Sequence, residues 1–171
     1  HDADHGHGAP NSLAAQPGGV ALELQGTRSS PSIRYLATNR AFRIEADGTP
    51  TGGFFWDGRA ASLADQAGRP FLNPREMANA DKAAVVALLA AAPYAKDFEA
   101  VFGAGILLRP DDAFDRIKLA IQAYELESAE FRPFSSKYDA FLSGRAAFSD
   151  AELREGFDTI DKALTVVDGM L

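Results

Sequence analysis

Cysteine is absent from the 171 residues, so no disulfide bond can form and cysteine usage does not indicate a redox compartment. Long hydrophobic runs are also missing. The longest apolar stretch, residues 83–92, is about half the length that a membrane-spanning helix needs. Acidic residues outnumber basic ones, and the net charge of -7 argues against binding to nucleic acid or to an anionic membrane surface.

The short motifs of several enzyme classes are absent as well. The chain has no G-x-S-x-G, no Walker A, no H-E-x-x-H and no G-x-G-x-x-G segment, so nothing in it supports a serine hydrolase, a P-loop enzyme, a zinc protease or a dinucleotide-binding fold. The sequence begins at His1 rather than at a methionine, and it contains no signal-peptide pattern. We therefore expect a processed or truncated product.

What is present is the composition of a globular domain. Hydrophobic residues make up 46% of the chain and charged residues 24%, and this length is enough for one domain with a buried core. Apolar spacing predicts a mostly α-helical protein. The predicted helices cover residues 32–42, 61–68, 81–92, 94–102, 111–127, 136–142 and 150–167.

Local signals mark the helix starts and the connections between helices. The helix-start signals are Ser62, Asn79 or Asp81, Pro110, and the capping box from Ser149 to Glu152. Asp47-Gly48 predicts a small β-hairpin within residues 43–56, residues 20–24 predict a turn or brief strand, and residues 69–79 predict an ordered loop. Connections this long are usually disordered or functional. Contacts with a bound cofactor would keep them ordered.

The three histidines are His1, His5 and His7, all at the start of the chain. Imidazole nitrogens at this spacing could bind a divalent metal ion at neutral pH. The surrounding segment is rich in glycine, so the alternative is a disordered terminus without a preformed metal site.

Four segments resemble a known family. They are S-P-S-I-R-Y-L at 30–36, G-F-F-W-D-G-R at 53–59 with Ser62-Leu63 and Gln66-Ala67 after it, P-F-L-N-P-R-E-M at 70–77, and F-S-S-K-Y-D at 134–139 with L-S-G at 142–144. In this order they resemble the bacterial diheme cytochrome c peroxidases, a family that includes the methylamine-utilisation diheme enzymes. The resemblance implies an all-α, cytochrome-c-like domain with long ordered loops.

The resemblance also implies roles for single residues. Glu76 corresponds to the acid/base beside peroxide on the distal face of the first haem, and Gln66 to a glutamine that orients peroxide or water. Trp56 corresponds to a tryptophan that assists electron transfer between two haems. His1 corresponds to the proximal ligand of the haem iron. Arg59 could reach a haem propionate, because a guanidinium suits bidentate binding of a carboxylate.

Each of these residues also has an ordinary structural interpretation. Glu76 would be a surface carboxylate, Gln66 a solvated helix residue and Trp56 a large core anchor. Arg59 would pair with Asp57 and fix the loop around the tryptophan. By resemblance, many family members have a further histidine that must move on activation. This chain has no histidine after His7, so the sequence does not predict that activation switch.

By resemblance, the parent protein reduces hydrogen peroxide in the periplasm with two c-type haems. Its electrons would come from a small cytochrome c or a cupredoxin, and calcium binding and a homodimer are further expectations. Residues 1–157 would form part of the N-terminal peroxidatic domain, and residues 158–171 an atypical tail in place of the second haem domain. The alternative is a haem-free, truncated helical domain without catalysis, because the chain contains no C-x-x-C-H attachment motif.

Overall fold

The computed structural model of the protein describes residues 15–156, and the chain divides into two compact units after Arg132. The first unit contains two antiparallel hairpins followed by four α-helices. Its strands are β1 (Pro17–Gly18), β2 (Leu24–Gln25), β3 (Arg43–Ile44) and β4 (Pro50–Thr51), and its helices are α1 (Leu63–Leu72), α2 (Lys82–Ala90), α3 (Ala95–Phe102) and α4 (Pro110–Glu127). Short 3₁₀ turns lie at Leu36–Thr38, Ile106–Leu108 and Ala129–Phe131.

The second unit, as far as it is described, contains α5 (Lys137–Leu142) and the first residues of α6, 150–156. The predicted capping box at the start of α6 is confirmed, because the Ser149 N–H donates to the Glu152 carboxylate and the Glu152 N–H donates to Ser149 Oγ. The predicted continuation of this helix to residue 167 lies outside the described residues.

Local capping chemistry sets the helix starts as the sequence predicts. Ser62 Oγ accepts the N–H of Asp65 at 3.1 Å and begins α1, and Asp81 Oδ1 accepts the N–H of Ala84 at 2.8 Å and begins α2. Pro110 occupies the first turn of α4, where its missing N–H leaves no helical bond unmade. The hairpin of β3 and β4 also forms around Asp47-Gly48, as predicted.

Two predicted elements are wrong. Residues 32–42 do not form a helix. Tyr35 has a left-handed backbone with φ of 61°, which is incompatible with a right-handed helix. Its N–H donates to the Phe131 carbonyl at 2.8 Å, so this N–H is bonded to a distant segment and not to a carbonyl within a local helix. Residues 69–72 are the last turn of α1 rather than a loop, because the helix continues through Pro70.

The core of the first unit forms where α4 packs against α1 and α2. Phe114 on α4 is buried with Val85, Val86, Ile106 and Ala113, and Phe71 of α1 packs edge-on against the Phe114 ring at 5.9 Å between centroids. A second cluster of Phe54, Ala60 and Leu63 joins the Trp56 loop to the start of α1. The spacing of Phe114, Ile117, Ala120, Ile121 and Tyr124 predicts one apolar face on α4. Phe114 is buried, the next three are half-buried, and Tyr124 at the end of the face is exposed.

Within residues 15–156, none of the helices combines the length and apolar character needed to cross a membrane.

Candidate functional site

The segment that contains Glu76 folds back onto the last turn of α1. The Glu76 N–H donates to the Asn73 carbonyl at 2.9 Å, and the Met77 N–H donates to the Pro70 carbonyl at 3.1 Å. The Asn79 N–H reaches the carbonyl of Phe71 at 3.0 Å. These bonds fix the backbone on both sides of Glu76 relative to α1.

The Glu76 side chain is half-buried. Its carboxylate has no hydrogen bond or ion pair with any residue from 15 to 156. A carboxylate on a fixed backbone with free oxygens can accept or donate a proton to a bound molecule. The arrangement is therefore chemically suited to the acid/base role predicted for Glu76.

Gln66 lies on α1 one helical turn before Pro70, so the two residues share a face of the helix. Gln66 is half-buried. Like the Glu76 carboxylate, its side-chain amide has no hydrogen-bond partner in the described part of the chain. The Met77 N–H is bonded to the Pro70 carbonyl, so the Glu76 segment is attached to the last turn of the helix that carries Gln66 in its first half. Whether the Gln66 and Glu76 side chains meet stays a prediction.

Trp56 lies in the loop before α1, and the residue is 65% exposed. The indole Nε1–H donates to the Ser29 carbonyl at 2.8 Å, which holds the ring against the preceding chain without burying it. Such exposure does not fit the alternative of a core anchor. Phe55, the residue before it, has φ of 65°, a left-handed conformation that is unfavourable for an aromatic residue.

Arg59 stabilises this loop. Its guanidinium lies 3.8 Å above the Phe55 ring centroid and pairs with Asp57 at 2.8 Å, which confirms the predicted Asp57–Arg59 ion pair. The hydrogen bond from Arg59 lowers the pKa of the Asp57 carboxyl. Arg69 of α1 donates to the Arg59 carbonyl at 3.0 Å, so the Trp56 loop is tied to the helix that carries Gln66.

Two surface cavities of about 390 Å³ each are formed mainly by residues of α1 and α4, with Lys118 lining both. Their walls do not include Trp56, Gln66 or Glu76. The expectation that these three side chains face one cavity large enough for a haem stays a prediction.

The predicted iron and metal ligands His1, His5 and His7 lie outside the described residues. Between residues 15 and 156 no group of three or more histidine, cysteine, aspartate or glutamate side chains is arranged to hold a metal ion.

Sequence reasoning did not identify Glu125, a second unusual carboxylate. It lies near the end of α4, and its Oε2 atom is buried without a hydrogen-bond partner among the described residues. Burial raises the pKa of this carboxyl to about 7. The signal in the sequence was its spacing, because Glu125 continues the apolar face of Phe114, Ile117 and Ile121.

The protonation of Glu125 predicts a pH-dependent stability. The folded state keeps the proton up to about pH 7, whereas the unfolded chain loses it near the ordinary pKa of 4.5. Stability is therefore full below about pH 4.5 and declines as the pH rises to about 7. Because the side chain is only partly buried, solvent screening reduces the loss to roughly 1–2 kcal/mol.

Glu125→Gln removes the ionisable group, so this variant should be as stable as the wild type at pH 4.5 and roughly 1–2 kcal/mol more stable at pH 8. Denaturant unfolding across this pH range measures the difference. Glu127→Gln, an exposed change on the same helix, is the matched control and should follow the wild type. Equal pH slopes for Glu125→Gln and the wild type would rule out a buried, protonated Glu125.

Comparison with known proteins identifies the family. A family model described as di-haem cytochrome c peroxidase matches residues 1–147. The methylamine utilization protein MauG of Paracoccus denitrificans is 48% identical over 131 residues, which are 76% of this chain and 34% of the relative. A cytochrome c551 peroxidase of Nitrosomonas europaea is 36% identical over 105 residues, 61% of this chain and 29% of the relative.

The fold has a solved counterpart in the diheme peroxidase BthA from Burkholderia thailandensis. The two match with a TM-score of 0.74 and 32% identity over 85% of this chain and 36% of that one. The likeness confirms the predicted all-α, cytochrome-c-like fold. The chain spans about a third of the length of these relatives. On the match over residues 1–147, the chain belongs to the di-haem cytochrome c peroxidase family.

Proposed function

We propose that this chain supplies the peroxide-handling side of a haem site in a longer periplasmic protein that reduces hydrogen peroxide. The observation that supports this most strongly is the half-buried Glu76 carboxylate. It has no protein partner among the described residues, and its backbone is fixed beside the helix that carries Gln66. Family membership supports peroxidase chemistry for the longer protein.

The side chains of the proposed site have the chemistry to face a bound haem but not to attach it. Glu76 and Gln66 offer unpaired hydrogen-bonding groups, Trp56 and Met77 expose apolar surface, and Arg59 offers a guanidinium suited to a propionate. No cysteine is available in the chain for covalent attachment. His1 stays the candidate proximal ligand. When bound, the haem iron supplies the redox chemistry.

In this proposal Glu76 moves one proton. Its carboxylate would take the proton from one peroxide oxygen and return it to the other, which leaves as water. Complete reduction of one peroxide consumes two electrons and two further protons and yields two water molecules. Gln66 donates from its amide nitrogen or accepts at its amide oxygen, and so orients the peroxide or the water product.

Trp56 would provide an aromatic surface for electron transfer, because its ring is held in place by Ser29 but left accessible. The electrons would come from a small cytochrome c or a cupredoxin. Two c-type haems in the longer protein, a calcium ion and a homodimer complete the proposal. Within it, residues 1–157 form part of the peroxidatic domain and residues 158–171 a tail that differs from the family.

The competing interpretation is a haem-free domain, and two measurements separate it from the proposal. The longer protein should give a pyridine haemochrome spectrum and should oxidise a reduced cytochrome c in a peroxide-dependent reaction. A longer protein that contains haem but does not consume peroxide would contradict the proposed function.

The isolated chain should carry no covalent haem, because it has no cysteine to form a thioether bond. Mass spectrometry of the denatured chain measures this directly. A mass increased by one haem would contradict the prediction.

A further inference from the structure

The hairpin of β1 and β2 docks onto the Glu76 segment through two hydrogen bonds. The Gly19 N–H donates to the Glu76 carbonyl at 2.9 Å. The Arg75 guanidinium donates to the Gln25 carbonyl, on the opposite strand, at 3.1 Å. The turn just after β1 and the strand β2 are therefore both bonded to the two residues 75 and 76.

Gly18 lies in direct contact with the same backbone. It is buried, and a Cβ atom at this position would overlap the Arg75 carbonyl oxygen, lie 2.5 Å from the Arg75 carbonyl carbon and lie 2.8 Å from the Glu76 Cα. The obstructing atoms are all main-chain atoms, which cannot rotate away. Any side chain at residue 18 must therefore displace the hairpin or the Glu76 segment.

Little else in the hairpin is buried. Val20 at its tip is 87% exposed, Leu22 is also exposed, and each strand has two residues. A two-stranded hairpin of this size is marginal on its own. The buried residues Gly18 and Gly19 are the ones that contact Arg75 and Glu76. The contact with the Glu76 segment therefore holds the hairpin in position.

We propose that Gly18 is a positioning residue for Glu76, and that the hairpin of residues 17–25 sets where the Glu76 carboxylate lies. The inference rests on the proposed function, in which Glu76 moves the proton. Proton transfer requires hydrogen-bond distance between the carboxylate and the peroxide, and a misplacement of about 1 Å can cost about 10²-fold in rate. The close contact at Gly18 leaves no room for such a shift.

The test compares Gly18→Ala with Gly26→Ala in the longer, haem-loaded protein. Gly26 lies just past the hairpin, and a Cβ there would meet its nearest neighbour at an ordinary 3.7 Å. We expect Gly18→Ala to lower the rate constant with peroxide by about 10- to 100-fold per haem, with unchanged haem content, and Gly26→Ala to match the wild type. Faster amide exchange at Gly19 and Met77 should accompany the loss.

A double variant separates positioning from a general structural role. If Gly18 acts through Glu76, adding Gly18→Ala to Glu76→Gln should cause almost no further loss, because the affected proton transfer is already gone. If the double variant instead loses as much rate as the two single losses multiplied together, the inference is overturned. It is also overturned if Gly18→Ala reacts at the wild-type rate while Glu76→Gln is impaired. A wild-type rate for Glu76→Gln would instead overturn the proposed function.

If the Gly18→Ala protein does not bind haem, the Arg75→Ala variant tests the inference instead. Arg75 is exposed, so its truncation should leave the fold intact while removing the bond to Gln25. A severalfold lower rate with peroxide and faster exchange of the Gly19 amide would support the inference. A wild-type rate and wild-type exchange would overturn it.

Discussion

Glu76→Gln in the longer, haem-loaded protein is expected to lower peroxide turnover by about 10²- to 10⁴-fold, the usual contribution of general acid–base catalysis. Glutamine keeps the size and the hydrogen-bonding capacity of glutamate but cannot take up and return a proton. The backbone of Glu76 is fixed by Asn73 and Gly19, so the substituted side chain should occupy the same place. Steady-state oxidation of a reduced cytochrome c by peroxide measures the loss.

Haem content and reduction potentials should stay near the wild-type values in this variant, because Glu76 is proposed to act on peroxide and not to bind the haem. Glu127→Gln, an exposed change on α4, is the matched control and should turn over normally. If Glu76 were an ordinary surface carboxylate, its change to glutamine would alter stability by less than about 0.5 kcal/mol and leave turnover intact.

Phe114→Ala is expected to destabilise the first unit by about 3–5 kcal/mol. The Phe114 side chain is 4% exposed and lies at the centre of the cluster that joins α1, α2 and α4. Alanine would leave a cavity there and remove the edge-on contact with Phe71. Because typical domains are stable by only about 5–15 kcal/mol, much of the fold's stability should be lost, which denaturant unfolding would measure.

The control for Phe114→Ala is Val101→Ala on α3, where the valine is 73% exposed and truncation should change stability by no more than about 0.5 kcal/mol. Phe114→Leu, which keeps much of the volume, should lie between the alanine variant and the wild type. Equal stabilities for Phe114→Ala and Val101→Ala would show that this cluster does not hold the helices together.

Elements whose ends depend on neighbouring residues could be predicted from the sequence. Ser62, Asp81 and Pro110 act within one helical turn, so the pattern alone identified the starts of α1, α2 and α4. The wrong helix at residues 32–42 has a distant cause. The partner of the Tyr35 amide is Phe131, far along the chain, and local spacing contains no information about that bond.

The candidate site was less accessible to sequence reasoning. The residues alone would have made Glu76 a surface carboxylate, and the resemblance of the surrounding motif was needed to single it out. Neither source indicated that Gly18 touches the Glu76 backbone, because the contact joins segments more than fifty residues apart. Glu125 was missed for another reason. Its spacing places it on the apolar face of α4, but a charged residue at such a position is usually solvent-exposed, and its burial depends on the residues that pack against α4.

The central claim is that Glu76 moves a proton when peroxide reacts. Peroxide is mixed rapidly with the haem-loaded wild-type protein or with the Glu76→Gln variant, in the absence of the electron donor. The change in haem absorbance with time gives the second-order rate constant of the reaction with peroxide. If Glu76 moves the proton, the rate constant for Glu76→Gln should be at least about 10²-fold lower. Equal rate constants for the two proteins would contradict it.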